Sequence, residues 1–123
     1  MEKLRRTVAV VDDDASLRRS LGRLLNAYGF LAEEYASAED FLARDRKKPI
    51  DCLVLDIDLG GMSGIDLQRR LKAEGSVLPV IFITALEAGA VKAEAEKVGC
   101  VAYLQKQFSG AALIAAINKA LGS

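Results

Sequence analysis

Two rhythms of apolar and polar positions alternate along the chain. TVAVV (7–11), CLVLD (52–56) and PVIFIT (79–84) are short apolar runs in which no polar residue marks a solvent side. They read as strands covered on both faces. FLAEEY (30–35) reads as a second, more exposed strand in chain order, and AYLQK (102–106) as the fifth. The segments between them follow a helical period. In SLRRSLGRLLNAYGF, Leu17, Leu21, Leu24 and Leu25 fall on one stripe, with Asp14 placed to cap that helix and Gly29 to end it. SAEDFLARD opens at Ser37 with Asp40 three residues on, a start resembling a capping box. IDLQRRLKAEG closes on a glycine, EAGAVKAEAEKVG (87–99) is alanine-rich with a polar face, and SGAALIAAINKAL forms a last helix. Strand and helix alternate five times with short connections. This pattern predicts an α/β fold, doubly wound in three layers, with a parallel sheet between helices.

Composition narrows what such a fold does here. A chain of 123 residues, 51% of them hydrophobic, suffices for one domain with a real core. Lys plus Arg equals Asp plus Glu at 17 each, so net charge gives no reason to expect nucleic acid or an acidic membrane surface as partner. RDRKK (44–48) reads as a solvated helix end rather than a nucleic-acid patch. The apolar run after MEKLRR is one strand long, too short for a secretion signal or a membrane span. Cys52 and Cys100 show no paired spacing and read as free thiols of a reducing cytoplasm. The chain has no histidine. That removes histidine-based triads, histidine-ligated zinc and a phosphohistidine on this chain.

In doubly wound folds, ligands bind beyond the carboxyl ends of the strands. The residues there are Asp12, Asp13 and Asp14 after the first strand, Asp56 on the third, Thr84 on the fourth and Lys106 on the fifth. Asp14 is explained by its capping role, and Thr84 or Lys106 alone would be ordinary strand-end residues. Asp56 is harder to explain away, because an ionised carboxylate against CLVL is costly without compensation. Asp12 and Asp13 beside it raise the cost, since like charges oppose ionisation. A hard divalent cation with carboxylate and water ligands resolves the conflict, and Mg²⁺ suits it. A carboxylate beside Mg²⁺, a lysine and a threonine hydroxyl can attack a phosphoryl group and become an aspartyl phosphate.

These motifs resemble the receiver domain of two-component response regulators. VAVVDDD matches its first strand and acidic pair, LVLDIDLGGMSG its acceptor strand and following loop, VIFITA its switch-hydroxyl strand, and AYLQK its switch-aromatic and lysine strand. The resemblance implies a flavodoxin-like sheet order 2-1-3-4-5, with residues 1–123 a single receiver domain and no output domain in this chain. It implies Asp56 as phosphoacceptor, Thr84 and Lys106 as its partners in the chemistry, and Thr84 and Tyr103 as the switch pair. Mg²⁺ would be held by Asp13, Asp56 and the backbone carbonyl of Asp58, with Asp12 acting mainly through a bound water. The phosphoryl donor would be a sensor histidine kinase or histidine phosphotransfer protein of a bacterial, cytoplasmic phosphorelay. Homodimer formation on phosphorylation is expected, and direct nucleic-acid or membrane binding by this domain is not. The chain is read as a signalling switch that catalyses only its own phosphoryl transfer and dephosphorylation, not as a turnover enzyme.

Two departures bear on the loops. Gly60 and Gly61 follow the acceptor where the family commonly has proline, predicting a looser turn. Gln107 follows Lys106 where the family usually has proline. A cis bond before glutamine costs about 2.5–4 kcal/mol against about 0.5–1 before proline, so a trans 106–107 bond and a re-routed loop to Ser109 are expected. Two other readings compete. DID (56–58) is the Asp-x-Asp of haloacid-dehalogenase-like phosphatases with Asp56 as nucleophile, although there the acidic pair follows the nucleophile and here it precedes it. The other is an unphosphorylated interaction module of the same fold, which would have no need of the intact acidic pair, acceptor, threonine and lysine.

Overall fold

Valine, leucine and isoleucine dominate the predicted strand runs, and their branched side chains fit a pleated surface covered from both sides. The computed structural model describes residues 5–86 and 89–122. It contains β1 (Thr7–Val11), α1 (Ala15–Ala27), β2 (Leu31–Tyr35), α2 (Ala38–Leu42), β3 (Cys52–Asp56), α3 (Gly64–Ala73), β4 (Val80–Thr84), α4 (Ala90–Val98), β5 (Ala102–Gln105) and α5 (Gly110–Ala120). All neighbouring strands pair in parallel, in the order β2-β1-β3-β4-β5.

The period of two along each strand sorts the core into two layers. Ala9, Val11, Leu53, Leu55 and Phe82 face α2, α3 and α4, where Phe41, Leu67, Leu71 and Ala95 meet them. Val8, Val10, Val54, Ile81 and Ile83 face α1 and α5, against Leu21, Leu25, Leu113 and Ile117. Each fully buried large side chain contributes about 1.5–3 kcal/mol. This packing gives the rigidity that lets the sheet's carboxyl edge carry charge.

Local stops follow from the predicted residues. Asp14 accepts hydrogen bonds from the Ser16 and Leu17 amides and starts α1. Gly29 ends it at φ +89°, where its amide donates to the Asn26 carbonyl and that of Phe30 to Leu25. That left-handed turn suits a residue without Cβ. α2 is shorter than SAEDFLARD suggests. The Arg44 guanidinium folds back over the Phe41 ring at 3.9 Å and donates to the Phe41 carbonyl. RDRKK therefore lies in a turn past the helix rather than at its end, with Arg46, Lys47 and Lys48 exposed. In the fourth helix the observed residues begin at Ala90, and the predicted positions 87 and 88 lie outside the described residues. Among the described residues no helix is long and apolar enough to cross a membrane.

Candidate functional site

The first strand delivers its aspartates to three different fates. The Asp12 amide donates to the Tyr35 carbonyl, extending the ladder one step beyond β1 and fixing Asp12 as if it were still in the strand. Its side chain is fully buried, and Oδ1 accepts the Asp14 amide at 2.9 Å. Asp13 is exposed, and Asp14 is occupied as the α1 cap.

Asp56 closes β3 and is 1% exposed. Its Oδ1 accepts the Asp58 amide at 3.1 Å, and its Oδ2 accepts from Lys106 Nζ at 3.2 Å. The same ammonium lies 3.2 Å from Asp12 Oδ2. The ion pair is made without the angle of a hydrogen bond, so this buried oxygen has no hydrogen-bond partner among the described residues. Lys106 is set by its backbone, whose amide donates to the Thr84 carbonyl at 2.6 Å. The 106–107 peptide bond is trans, as expected, and Gln107 adopts φ +74°, the one left-handed non-glycine among the described residues.

One ammonium pairs with two of three clustered carboxylates. Oxygens of Asp12, Asp13 and Asp56 lie within 4.8 Å of one another. Burial, and then the charge of Asp12, push the Asp56 carboxyl up from 3.8 to about 6, against the opposing pull of Lys106. For Lys106, burial acts downward, but the Asp56 and Asp12 charges outweigh it and hold the ammonium above its ordinary value. An all-oxygen cluster with surplus negative charge, and a buried carboxylate oxygen that lacks a hydrogen bond among the described residues, fits a hard divalent cation.

Thr84 is fully buried at the end of β4, and its Oγ1 accepts the Leu86 amide at 3.0 Å. Tyr103 is not part of the carboxylate cluster. It pairs in register with Phe82, packs in the α2–α3–α4 layer, and stands with its ring 5.9 Å from Lys92 Nζ. Its hydroxyl is buried without a hydrogen-bond partner among the described residues. The Asp58 side chain is exposed.

Three supports were not read from the sequence. Glu39 on α2 accepts the Met62 amide at 3.1 Å, which ties down the Gly60–Gly61 turn predicted to be loose. Gly64 sits so close to the acceptor strand that a Cβ there would lie 2.3 Å from the Asp56 carbonyl oxygen. A glycine at the start of a helix, where a cap is expected, was the available signal for it. Arg18 on α1 donates to the Asp12 carbonyl at 2.7 Å and pairs with Glu34 at 3.5 Å, a contact that only the tertiary structure reveals.

The sequence model of the family described as "Response regulator receiver domain" matches residues 8–118. The transcriptional regulatory protein TdiR of Thauera aromatica is 41% identical over 115 residues, covering 94% of this chain and 51% of that protein. The transcriptional regulatory protein FixJ of Azorhizobium caulinodans is 38% identical over 117 residues, covering 94% of this chain and 54% of its own. The chain thus spans about half the length of these curated relatives. Among solved structures, FixJ-N superposes with a TM-score of 0.89 at 34% identity, covering 98% of this chain and 96% of that one. The response regulator StyR gives 0.88 at 41% identity, covering 97% and 60%.

Proposed function

The chain belongs to the response regulator receiver domain family, and from that premise we propose that it takes a phosphoryl group onto Asp56 and thereby switches its signalling surface. The observation that carries this reading is one Lys106 ammonium 3.2 Å from two buried carboxylates, Asp12 and Asp56. Asp13 adds a third oxygen within 4.8 Å. The donor is a phosphohistidine on a sensor histidine kinase or histidine phosphotransfer protein, since this chain has no histidine. The donor's N–P bond breaks with its electron pair left on the imidazole nitrogen, and an Asp56 O–P bond forms.

Asp13, Asp56 and the Asp58 carbonyl would hold Mg²⁺, with Asp12 reaching it through water. When bound, the ion supplies charge neutralisation for the phosphoryl oxygens. The chain's own residues do the rest. Above about pH 6 the Asp56 carboxyl is ionised and able to attack. Lys106, already paired with Asp56 Oδ2, offers its ammonium to the charge carried by the incoming oxygens. Thr84 Oγ1 accepts from Leu86, so the hydroxyl proton remains for donation to a phosphoryl oxygen. The Tyr103 hydroxyl, buried without a hydrogen-bond partner among the described residues, follows Thr84 and remodels the surface between β4, α4 and β5. TdiR and FixJ are transcriptional regulatory proteins, and by that likeness the output is control of transcription. The reading adds a bacterial cytoplasmic setting and a homodimer formed on phosphorylation.

The test is incubation with Mg²⁺ and acetyl phosphate. One phosphoryl group per chain is expected, and none on Asp56→Asn. Equal labelling of that variant overturns the acceptor. Repeated turnover of small phosphomonoesters overturns the switch in favour of a phosphatase.

A further inference from the structure

Asp12 places its carboxylate in the acidic cluster, and its backbone carbonyl is already taken. Arg18, closing the first turn of α1, donates to it from Nη1 at 2.7 Å. The other edge of the guanidinium, Nε, faces Glu34 Oε1 on the edge strand β2 at 3.5 Å. The Arg18 side chain is only 16% exposed, so this is a partly desolvated contact and not a passing surface pair. Glu34 in turn occupies space that α1 leaves open. Gly22 stands four residues beyond Arg18 on the same stripe, and a Cβ there would lie 2.8 Å from Glu34 Oε2.

We propose that Arg18, braced by Glu34 over Gly22, is the positioning residue that orders the acidic loop for its cation. This rests on the reading of Asp12, Asp13 and Asp56 as a cation site. Two links hold the Asp12 backbone. Its amide is bound to Tyr35 and its carbonyl to Arg18, so the peptide plane on either side has no freedom to turn. With the carbonyl occupied, the side-chain oxygens of Asp12 and Asp13 are left to face the cluster. The arrangement demands an arginine. Its planar fork serves the carbonyl and the carboxylate from two separate edges, a geometry that the single compact nitrogen of a lysine does not reproduce.

A positive charge beside a cation site also repels the cation, and that makes the assignment decidable by sign. If Arg18 acted only through its charge, Arg18→Gln would raise Mg²⁺ affinity by removing the repulsion. If it orders the loop, the same variant lowers affinity, and groups that orient metal ligands from outside typically matter by about tenfold or more.

The experiment is Mg²⁺ titration of the whole chain, followed by tyrosine fluorescence or calorimetry, with amide exchange of Asp13 and Asp14 measured in metal-free buffer. Arg18→Gln is expected to weaken Mg²⁺ about tenfold and to speed exchange at both amides several-fold. Arg18→Lys keeps the charge and should still lose several-fold. Arg19→Gln, one residue along on the exposed face, makes the same charge change and should alter affinity by less than about twofold. Gly22→Ala should push Glu34 aside and weaken Mg²⁺ by about twofold, even though alanine favours the helix. Raised or unchanged affinity in Arg18→Gln, or wild-type behaviour in Arg18→Lys, overturns the proposal for Arg18. A wild-type chain that binds no Mg²⁺ and takes no label on Asp56 instead overturns the functional reading beneath it.

Discussion

The acidic side of the sheet and its α4–β5 side are held in different ways. On the acidic side, every residue of β1 and β3 is buried, and α1 and α3 begin at Asp14 and Ser63, whose side chains accept helix amides. α2 and α5 begin in the same manner at Ser37 and Ser109. α4 begins at Gly89 with no side-chain cap among the described residues, and only its Ala95 is buried. β5 beside it is four residues long and none of them is fully buried. The carboxylates of the cluster rest on the first region, while Lys106, just past β5, and the surface expected to change rest on the second. Rigidity near the acceptor and looseness near α4 are the complementary requirements of a switch, because elements that move must come from the weakly held end of a structure.

The sharpest way to break this comparison is at the close approach of α3 to the acceptor strand. Gly64→Ala places a methyl 2.3 Å from a backbone oxygen that has nowhere to go. A loss of about 3 kcal/mol is expected, read as a thermal midpoint lowered by about 12 °C. Gly60→Ala meets nothing within 4 Å and should stay within about 0.5 kcal/mol of wild type. Equal midpoints for the two variants would show that the acceptor loop is not tightly held.

The second test asks what that tightness costs in charge. In metal-free protein the folded Asp56 carboxyl titrates at about 6, above its ordinary 3.8. The native state therefore holds this proton more firmly than the unfolded chain. This group's contribution to stability grows as pH falls from about 6 towards 4, and its full penalty stands above pH 6. The ceiling is about 3 kcal/mol, and solvent screening lowers it to about 1–2. Asp56→Asn should raise metal-free stability at pH 7 by that amount and flatten the pH dependence between 4 and 6. A destabilised Asn variant would mean that the Lys106 pair outweighs the repulsion.

A smaller effect separates the two regions directly. Ala93→Gly on α4 and Arg23→Gly on α1 both remove about 0.8–1 kcal/mol of helix propensity at exposed positions. In α1 the loss should appear globally, as a midpoint lowered by about 4 °C. In α4 it should appear locally, as amide exchange faster by about fivefold with the midpoint nearly unchanged. Equal midpoint shifts would abolish the distinction. The smallest effect is expected at Gln107, whose φ of +74° disfavours a side chain. Gln107→Gly should change stability by less than about 1 kcal/mol, the relieved strain being partly cancelled by glycine's greater freedom when unfolded. Gln107→Pro, with φ near −65°, cannot adopt that conformation. A proline variant as stable as wild type would show that the loop readily re-routes.

The sheet was legible because its runs lack polar interruptions, and Asp12, Asp56, Thr84 and Lys106 were legible because each follows an apolar body at the same strand end. The end of α2 was not. Arg44 continues a good helical sequence, and it leaves the helix because the Phe41 ring and carbonyl offer its guanidinium a better place. Glu39 and Arg18 were invisible for a related reason. Each acts on backbone groups 23 and 6 residues away, and charged residues on a helix surface look alike until the chain is folded. The Gly60–Gly61 turn shows the same limit from the other direction. Two glycines predict local freedom, and a carboxylate on a different helix ties the end of that turn down.

Tyr103 also gives the molecule an optical handle. The chain has no tryptophan and three tyrosines, so phenol emission is not masked by indole. Tyr28 is largely exposed, and Tyr35 stands edge-on to Phe41 with ring centroids 5.3 Å apart. Tyr28→Phe with Tyr35→Phe would leave Tyr103 as a single unlabelled fluorophore beside the Lys92 ammonium. Its quantum yield and anisotropy would then report the turning of one ring in real time, without a dye and without touching any residue of the acidic cluster.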